Sequence, residues 1–203
     1  NYFILLGACS LLLDRAPLID HFPLQAEILW NFQLRAGPVL VVTQRDDMRQ
    51  VILDYSPEIK GVRYNMSLQE ALVRCKKARL VEAKVPQYRA IFAQMVTALA
   101  QRSPVIEEAG LGCIYVGLDG LAVLYGGESR LVTTLLNTIP GEFQACVGVA
   151  AGKFPAYIAA MCASPSYVYR VPEDVRAFLS NVNVDYLPVS EKMKGRLHDF
   201  GLH

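Results

Sequence analysis

The 203-residue chain is 53% hydrophobic and 19% charged, enough apolar matter for a substantial core in one large domain or two small ones. Its formal net charge of +1 excludes strong nucleic-acid binding by bulk charge alone, since phosphate contacts supply most non-specific affinity. The five cysteines are odd in number, scattered and without a C-x-x-C pair, which argues against a zinc site or a disulfide framework and fits a reducing, cytoplasmic setting.

In chain order, Tyr2 to Leu13 (YFILLGACSLLL) is apolar but too short to span a membrane, and it lacks the basic flank of a signal peptide. It is expected to be buried strand, and an alternative register places Asp14 in that strand. His21 to Gln33 is expected to be helical, with Leu24, Ile28 and Leu29 near one face and Trp30 in the core. Pro38 to Thr43 and Gln50 to Tyr55 read as strands. Ser67 caps a helix (SLQEALVRC), with Glu70 three residues on to complete a capping box. Arg74, Lys76, Lys77 and Arg79 form the densest basic patch, read as a solvated helix end. Leu80 to Lys84 is a short extended piece, and Pro86 opens a long helix through Gln101, a position that suits proline.

Val105 to Glu108 and Cys113 to Leu118 read as a central strand pair, with Gly110 and Gly112 at the bend. A helix over Arg130 to Ile139, a strand over Cys146 to Val149 and a helix over Lys153 to Cys162 follow. The chain then runs through a strand over Tyr167 to Val171 into a helix opened by Pro172. Alternating strands and helices point to an α/β or α+β layered fold. His21, His198 and His203 stand apart from one another, so no metal-ligand cluster is expected. Cys113 has two readings, a reactive thiol or a small buried core residue, of which the second has the better physical support.

Residues 105–120 read VIEEAGLGCIYVGLDG. This stretch resembles the second carboxylate motif of the Y-family (translesion) DNA polymerases, Ser-x-Asp-Glu-x-Tyr-x-Asp-Leu. Tyr115 and Leu118 keep their places, while Gly110, Gly112, Cys113 and Gly117 stand where the family has Ser, Asp, Glu and Asp. The family's first motif, Asp-x-Asp-x-Phe-Phe-Ala-Ser-Val-Glu, is matched by Leu18 to Glu27 (LIDHFPLQAE). There Phe22 and Glu27 fit, Asp20 sits at the second acidic position, Leu18 at the metal-binding one and Pro23 at the steric gate. Nucleotidyl transfer uses two divalent cations about 4 Å apart, and hard cations take oxygen ligands. Gly112 offers no side chain and Cys113 a soft sulfur. The resemblance therefore implies a palm whose metal-ligand positions (Leu18, Asp20, Gly112, Cys113) are vestigial, with no cofactor and no metal.

The nucleotide-handling positions are altered as well. The family's Tyr-x-Ala-Arg element falls on Tyr55-Ser56-Pro57-Glu58, which keeps the tyrosine and places Glu58 where phosphate wants a cation. Val147 to Ala160 resembles Val-Gly-Ile-Ser-x-Asn-Lys-x-x-Ala-Lys-x-Ala-Ala, with Lys153 retained and Tyr157 at the second lysine. Lys153 is read either as a phosphate contact to nucleotide or DNA or as a surface helix start. Tyr55 is read either as a ligand contact or as a packed strand end. The segment Val184 to Leu202 resembles the start of the family's thumb, where Pro188-Val189-Ser190-Glu191 replaces a glycine hairpin. Ser190 and Lys192 are the DNA-contact candidates there, Ser190 also serving as a helix cap.

The resemblance covers nearly the whole chain. It implies a ferredoxin-like palm (about 1–55 and 104–171), a small fingers insertion (56–103) and the start of a helical thumb (172–203), without the little-finger domain. HFPLQAE, the replaced carboxylates and LYGGESRL suit the ImuB type. Membership of that type implies a non-catalytic adaptor in bacterial damage repair and SOS mutagenesis, linking a C-family error-prone polymerase to the sliding clamp at damaged DNA. Beside it stand a purely structural domain without a DNA connection and two further alternatives. One is an active translesion polymerase with relocated acids drawn from Asp20, Glu107, Glu108 and Asp119. The other is a nucleotide-cyclase-like palm, suggested by Gly126-Gly127-Glu128 and weakened by Ser129, which breaks the paired-acid signature.

Overall fold

The computed structural model describes residues 2–8, 21–164, 167–187, 189 and 191–201. The chain opens with strand β1 (Tyr2–Ala8), helix α1 (Phe22–Trp30) and a 3-10 turn (Phe32–Ala36). Strands β2 (Val39–Gln44) and β3 (Gln50–Tyr55), helix α2 (Leu68–Arg74), strand β4 (Arg79–Glu82) and helix α3 (Val85–Ala100) follow. Then come β5 (Ile106–Gly110), β6 (Cys113–Gly117), α4 (Leu121–Leu124), α5 (Glu128–Leu136), β7 (Ala145–Ala151) and α6 (Lys153–Cys162). The last elements are β8 (Val168–Arg170), α7 (Val175–Leu179) and α8 (Glu191–Asp199).

Five strands form one sheet in the order β5-β6-β1-β7-β8. Without β8, that is the strand order of a ferredoxin-like βαββαβ unit, with α3 and α5 as its two crossing helices. The β5–β6 pair is therefore not the middle of the sheet, as the sequence suggests: β5 is an edge, and β1 lies between β6 and β7, antiparallel to both. Alternation along the strands sorts the two faces. Ile114, Val116, Val147 and Val149 pack with Phe92, Leu99, Leu131 and Leu135 of α3 and α5. Cys113 and Ala150 turn the other way and meet Ala156 and Ala160 of α6. Helix α6 lies against β7 at backbone distance, since a Cβ on Gly148 would stand 1.9 Å from the Ala156 carbonyl oxygen.

The second sheet has the order β3-β2-β4, with β4 parallel to β2. Leu40, Val42 and Ile52 pack with Ala71 of α2 and with Ile59, Val62 and Met66. Val39 and Val41 pack with Leu24 and Leu34 on the other face. The stretch 1–55 thus divides, β1 joining the large sheet and β2 and β3 the small one.

Local signals fix several helix ends. Ser67 Oγ accepts from the Glu70 amide at 3.2 Å, as a cap should. The Glu70 carboxylate pairs instead with Arg74 at 2.9 Å, so only half of the expected capping box is present. Pro86 sits in the first turn of α3. Pro172 does not open the next helix; Asp174 caps α7, its carboxylate accepting from the Ala177 amide at 2.9 Å. Trp30 is not core. It is the last residue of α1, 43% exposed, and stacks on buried Tyr88, ring centroids 5.8 Å apart.

Candidate functional site

The β5–β6 hairpin and the first turn of α6 build one face of the site. Gly112 occupies the hairpin turn at φ 84°, a left-handed conformation that strains any residue with a Cβ. Cys113 follows, 4% exposed, and burial pushes its thiol up to about 12. Glu107 lies across from Tyr115 in the β5–β6 register, on the side that faces α6. Lys153, the first residue of α6, pairs its ammonium with the Glu107 carboxylate. The same ammonium stands 5.8 Å from the centre of the Tyr115 ring. Burial raises the Tyr115 phenol to about 12, with Cys113 and Glu107 adding to the shift. Tyr157 packs against the same cluster. Of the acids weighed from sequence, only Glu107 is placed here among the described residues. Glu108 is in register with Ile114 and belongs to the opposite face, and Asp119 lies in the exposed turn after β6.

A second group gathers at the start of α1. His21 precedes the helix with φ 63°, and its Nδ1 lies 2.7 Å from the Asp54 carboxylate. Asp54 is 5% exposed and also accepts from the amides of Leu24 and Tyr55, each at 2.8 Å. The Tyr55 ring meets the imidazole edge-on, centroids 5.5 Å apart. His21 is therefore not isolated, as expected from sequence. Its partner is 33 residues away on strand β3, and no local spacing announces the pair. Within Tyr55-Ser56-Pro57-Glu58, Ser56 holds the fold, its hydroxyl accepting from the Val39 amide at 2.8 Å, while Glu58 is exposed.

A hard divalent cation does not fit positions 112 and 113. One has no side chain, and the other is a protonated thiol closed over by alanines. Among the described residues there is no group of three or more His, Cys, Asp or Glu placed to hold a metal. Leu18, Asp20 and Ser190 lie outside the described residues, and Lys192 falls on α8. No helix among the described residues is long and apolar enough to cross a membrane.

The impB/mucB/samB family matches residues 18–161, most of the chain. The chain belongs to this family, the Y-family DNA polymerases. Relatives include a protein named DNA polymerase IV from Dehalococcoides mccartyi, 26% identical over 191 residues, covering 91% of this chain and 49% of the relative. Another of that name from Ralstonia nicotianae is 27% identical over 156 residues, covering 74% of this chain and 44% of its own. The chain thus spans about half the length of the curated relatives it matches. The fold matches DinB from Sulfolobus solfataricus with a TM-score of 0.77 at 20% identity, over 100% of this chain and 58% of that one. It matches an insertion ternary complex of Dbh DNA polymerase with a TM-score of 0.80, also at 20% identity and with the same coverage. The α+β palm-and-fingers fold expected from sequence is the fold observed, in the N-terminal part of those chains.

One expectation is corrected. The replaced carboxylates suggest a protein that is no enzyme, a degenerate palm. The Y-family relatives matched over most of the chain are named DNA polymerase IV, which overturns that inference. The physical reason is that the inference counts side chains at three motif positions. Missing acids at those positions do not decide activity, because Glu107, weighed from sequence as a relocated acid, places a carboxylate on the neighbouring strand beside the same face.

Proposed function

We propose that this Y-family chain works at primer-template DNA in bacterial damage tolerance. In that setting it is a platform of the ImuB type, bringing a C-family error-prone polymerase and the sliding clamp to the lesion. The observation that carries the platform reading is the burial of Cys113 against Ala150, Ala156 and Ala160. The sheet face at Cys113 is a packed contact with α6, which gives a rigid frame for a recognition role. Lys153 is the phosphate contact on this reading, flanked by Tyr157, with Tyr55 and Glu58 bordering the nucleotide side and Ser190 and Lys192 as the thumb's DNA-contact candidates. On this reading the large sheet with α3, α5 and α6 is the palm, the small sheet β3-β2-β4 with α2 is the fingers, and the thumb begins at 172.

Retention of clamp and C-family polymerase on a damaged primer-template, with and without this protein, tests the reading. Higher retention of both supports it, and unchanged retention defeats it.

The position of Glu107 favours a second reading, nucleotide addition with a relocated acid. Primer extension by wild type and E107Q is read with Mg²⁺ and with Mn²⁺. Extension that E107Q abolishes while DNA binding persists supports this reading. Equal extension by both proteins removes Glu107 from it.

A further inference from the structure

We propose that the end of α1 and the 3-10 turn behind it form a platform for single-stranded DNA, apart from the face built by β6 and α6. Two large rings emerge there with one residue between them, Trp30 at 43% and Phe32 at 71% exposed. Each carries a cation. The Arg35 guanidinium lies 4.9 Å from the Phe32 ring centre, and the Lys84 ammonium 4.9 Å from the Trp30 ring. Arg79 of β4 adds a third charge, donating to the Gln33 carbonyl of the same turn at 2.9 Å.

Charge is segregated around the rings. Arg79 is in register with Val39 on the sheet face that packs α1, whereas Glu82 is in register with Val42 on the opposite face. Glu27 of α1 is 2% exposed and already held by Lys84 at 2.8 Å and Tyr88 at 2.7 Å. No acidic side chain pairs with Arg35 or Arg79 among the described residues.

Rings interleaved with cations suit a strand whose bases are unstacked and whose phosphates need neutralising. A duplex keeps its base faces covered and cannot use the rings. An acidic protein segment would use the cations but leave two flat aromatic faces without an aromatic partner. Trp30 rests on Tyr88 with 14° between the planes, so its orientation is fixed before any base arrives.

The proposal rests on the reading of the chain as a DNA-working protein. Trp30 is the sole tryptophan of the 203-residue chain, so its emission reports on this patch alone. The chain is titrated with an oligothymidylate, with the same length as duplex, and separately with a labelled primer-template. The expected result is quenching by the single strand and little by the duplex, with a salt slope of about −1.4 for Arg35 and Arg79, since Lys84 is already neutralised by Glu27. F32A weakens single-strand affinity about tenfold, and R35E lowers both affinity and slope. Both substitutions are at exposed positions, and circular dichroism checks that the fold is kept. Unchanged emission while the primer-template still binds overturns the platform and spares the broader reading. Quenching without primer-template binding does the reverse. Equal quenching by duplex, or wild-type affinity in F32A and R35E, also overturns it.

Discussion

Lys153 reaches from the first turn of α6 to the carboxylate of Glu107 on β5, across the ring of Tyr115. Both side chains are substantially exposed, 41% for the lysine and 54% for the glutamate, so the pair contributes little to stability, about 0–1 kcal/mol. Its consequence is competition. A carboxylate that holds the ammonium must be displaced before Lys153 can meet a phosphate. E107Q is expected to raise affinity for a nucleoside triphosphate by about two- to fivefold, and K153A to lower it, with thermal midpoints of both within a few degrees of wild type. A titration at low salt checks this. Equal affinity in wild type and E107Q means Lys153 makes no phosphate contact.

Gly148 has no room for a methyl group. A Cβ there would meet the Ala156 carbonyl oxygen at 1.9 Å and the Ala160 nitrogen at 2.4 Å, both backbone atoms of α6. Rotamer changes cannot relieve such a contact, so helix and strand must part. G148A is expected to cost about 3 kcal/mol or more, read as a lower urea midpoint. G117A meets only the Val105 side chain, at 2.8 Å, and is expected to cost less.

Elements whose signals are local were legible in the sequence. Ser67 with Glu70 marked the start of α2, Pro86 that of α3, and the run from Lys153 to Cys162 was α6 to the residue. Sheet membership was not. β4 has four residues and joins β2 in parallel register from 40 residues away, Val39 to Arg79, and nothing in either stretch encodes that choice. The same holds for β1, whose apolar run announced a buried strand but not a place between β6 and β7. Of the candidate site, the frame was visible at Tyr115 and Lys153. The His21–Asp54 and Lys153–Glu107 pairs were not, because each joins elements that meet only in the fold.

Glu27 is a buried carboxylate with two different partners. Lys84 donates to both oxygens, at 2.8 and 3.1 Å, and the Tyr88 hydroxyl donates to one at 2.7 Å. Y88F keeps the ring against Trp30 and removes only the hydroxyl, leaving Glu27 short of a donor in a site 2% exposed. The expected loss is about 1–3 kcal/mol. Y88F with E27Q should lose less than the two single losses added, because the orphaned charge is then absent. Four chemical-denaturation curves complete the cycle, and simple additivity would show that Tyr88 and Glu27 are not coupled.

Gly112 is constrained by its backbone as well as by its missing side chain. At φ 84° an aspartate in place of glycine enters the left-handed region, so G112D is expected to cost about 1 kcal/mol or more before any question of metal arises. Denaturation with and without Mg²⁺ separates the two effects. Mg²⁺-dependent recovery of stability in G112D would show that the hairpin can present an acid after all.

Cys113 links the site to alkaline stability. Burial raises its thiol to about 12 in the fold from an ordinary value of 9.0. A group whose pKa is raised by folding favours the native state fully below its unfolded pKa and loses that contribution as pH rises through the folded one. Stability is therefore expected to fall between about pH 9 and 12. C113A should flatten that limb while lowering the neutral-pH plateau by the packing lost against Ala150, Ala156 and Ala160. Half-buried Tyr115 titrates in the same window, so the informative quantity is the difference between wild type and C113A. Alkylation at pH 8 supplies an independent check. Cys162 is exposed and should label in the native state, whereas Cys113 should label only with unfolding. Native-state labelling of Cys113 would mean that α6 lifts from the sheet, and the buried thiol could then no longer account for the alkaline limb.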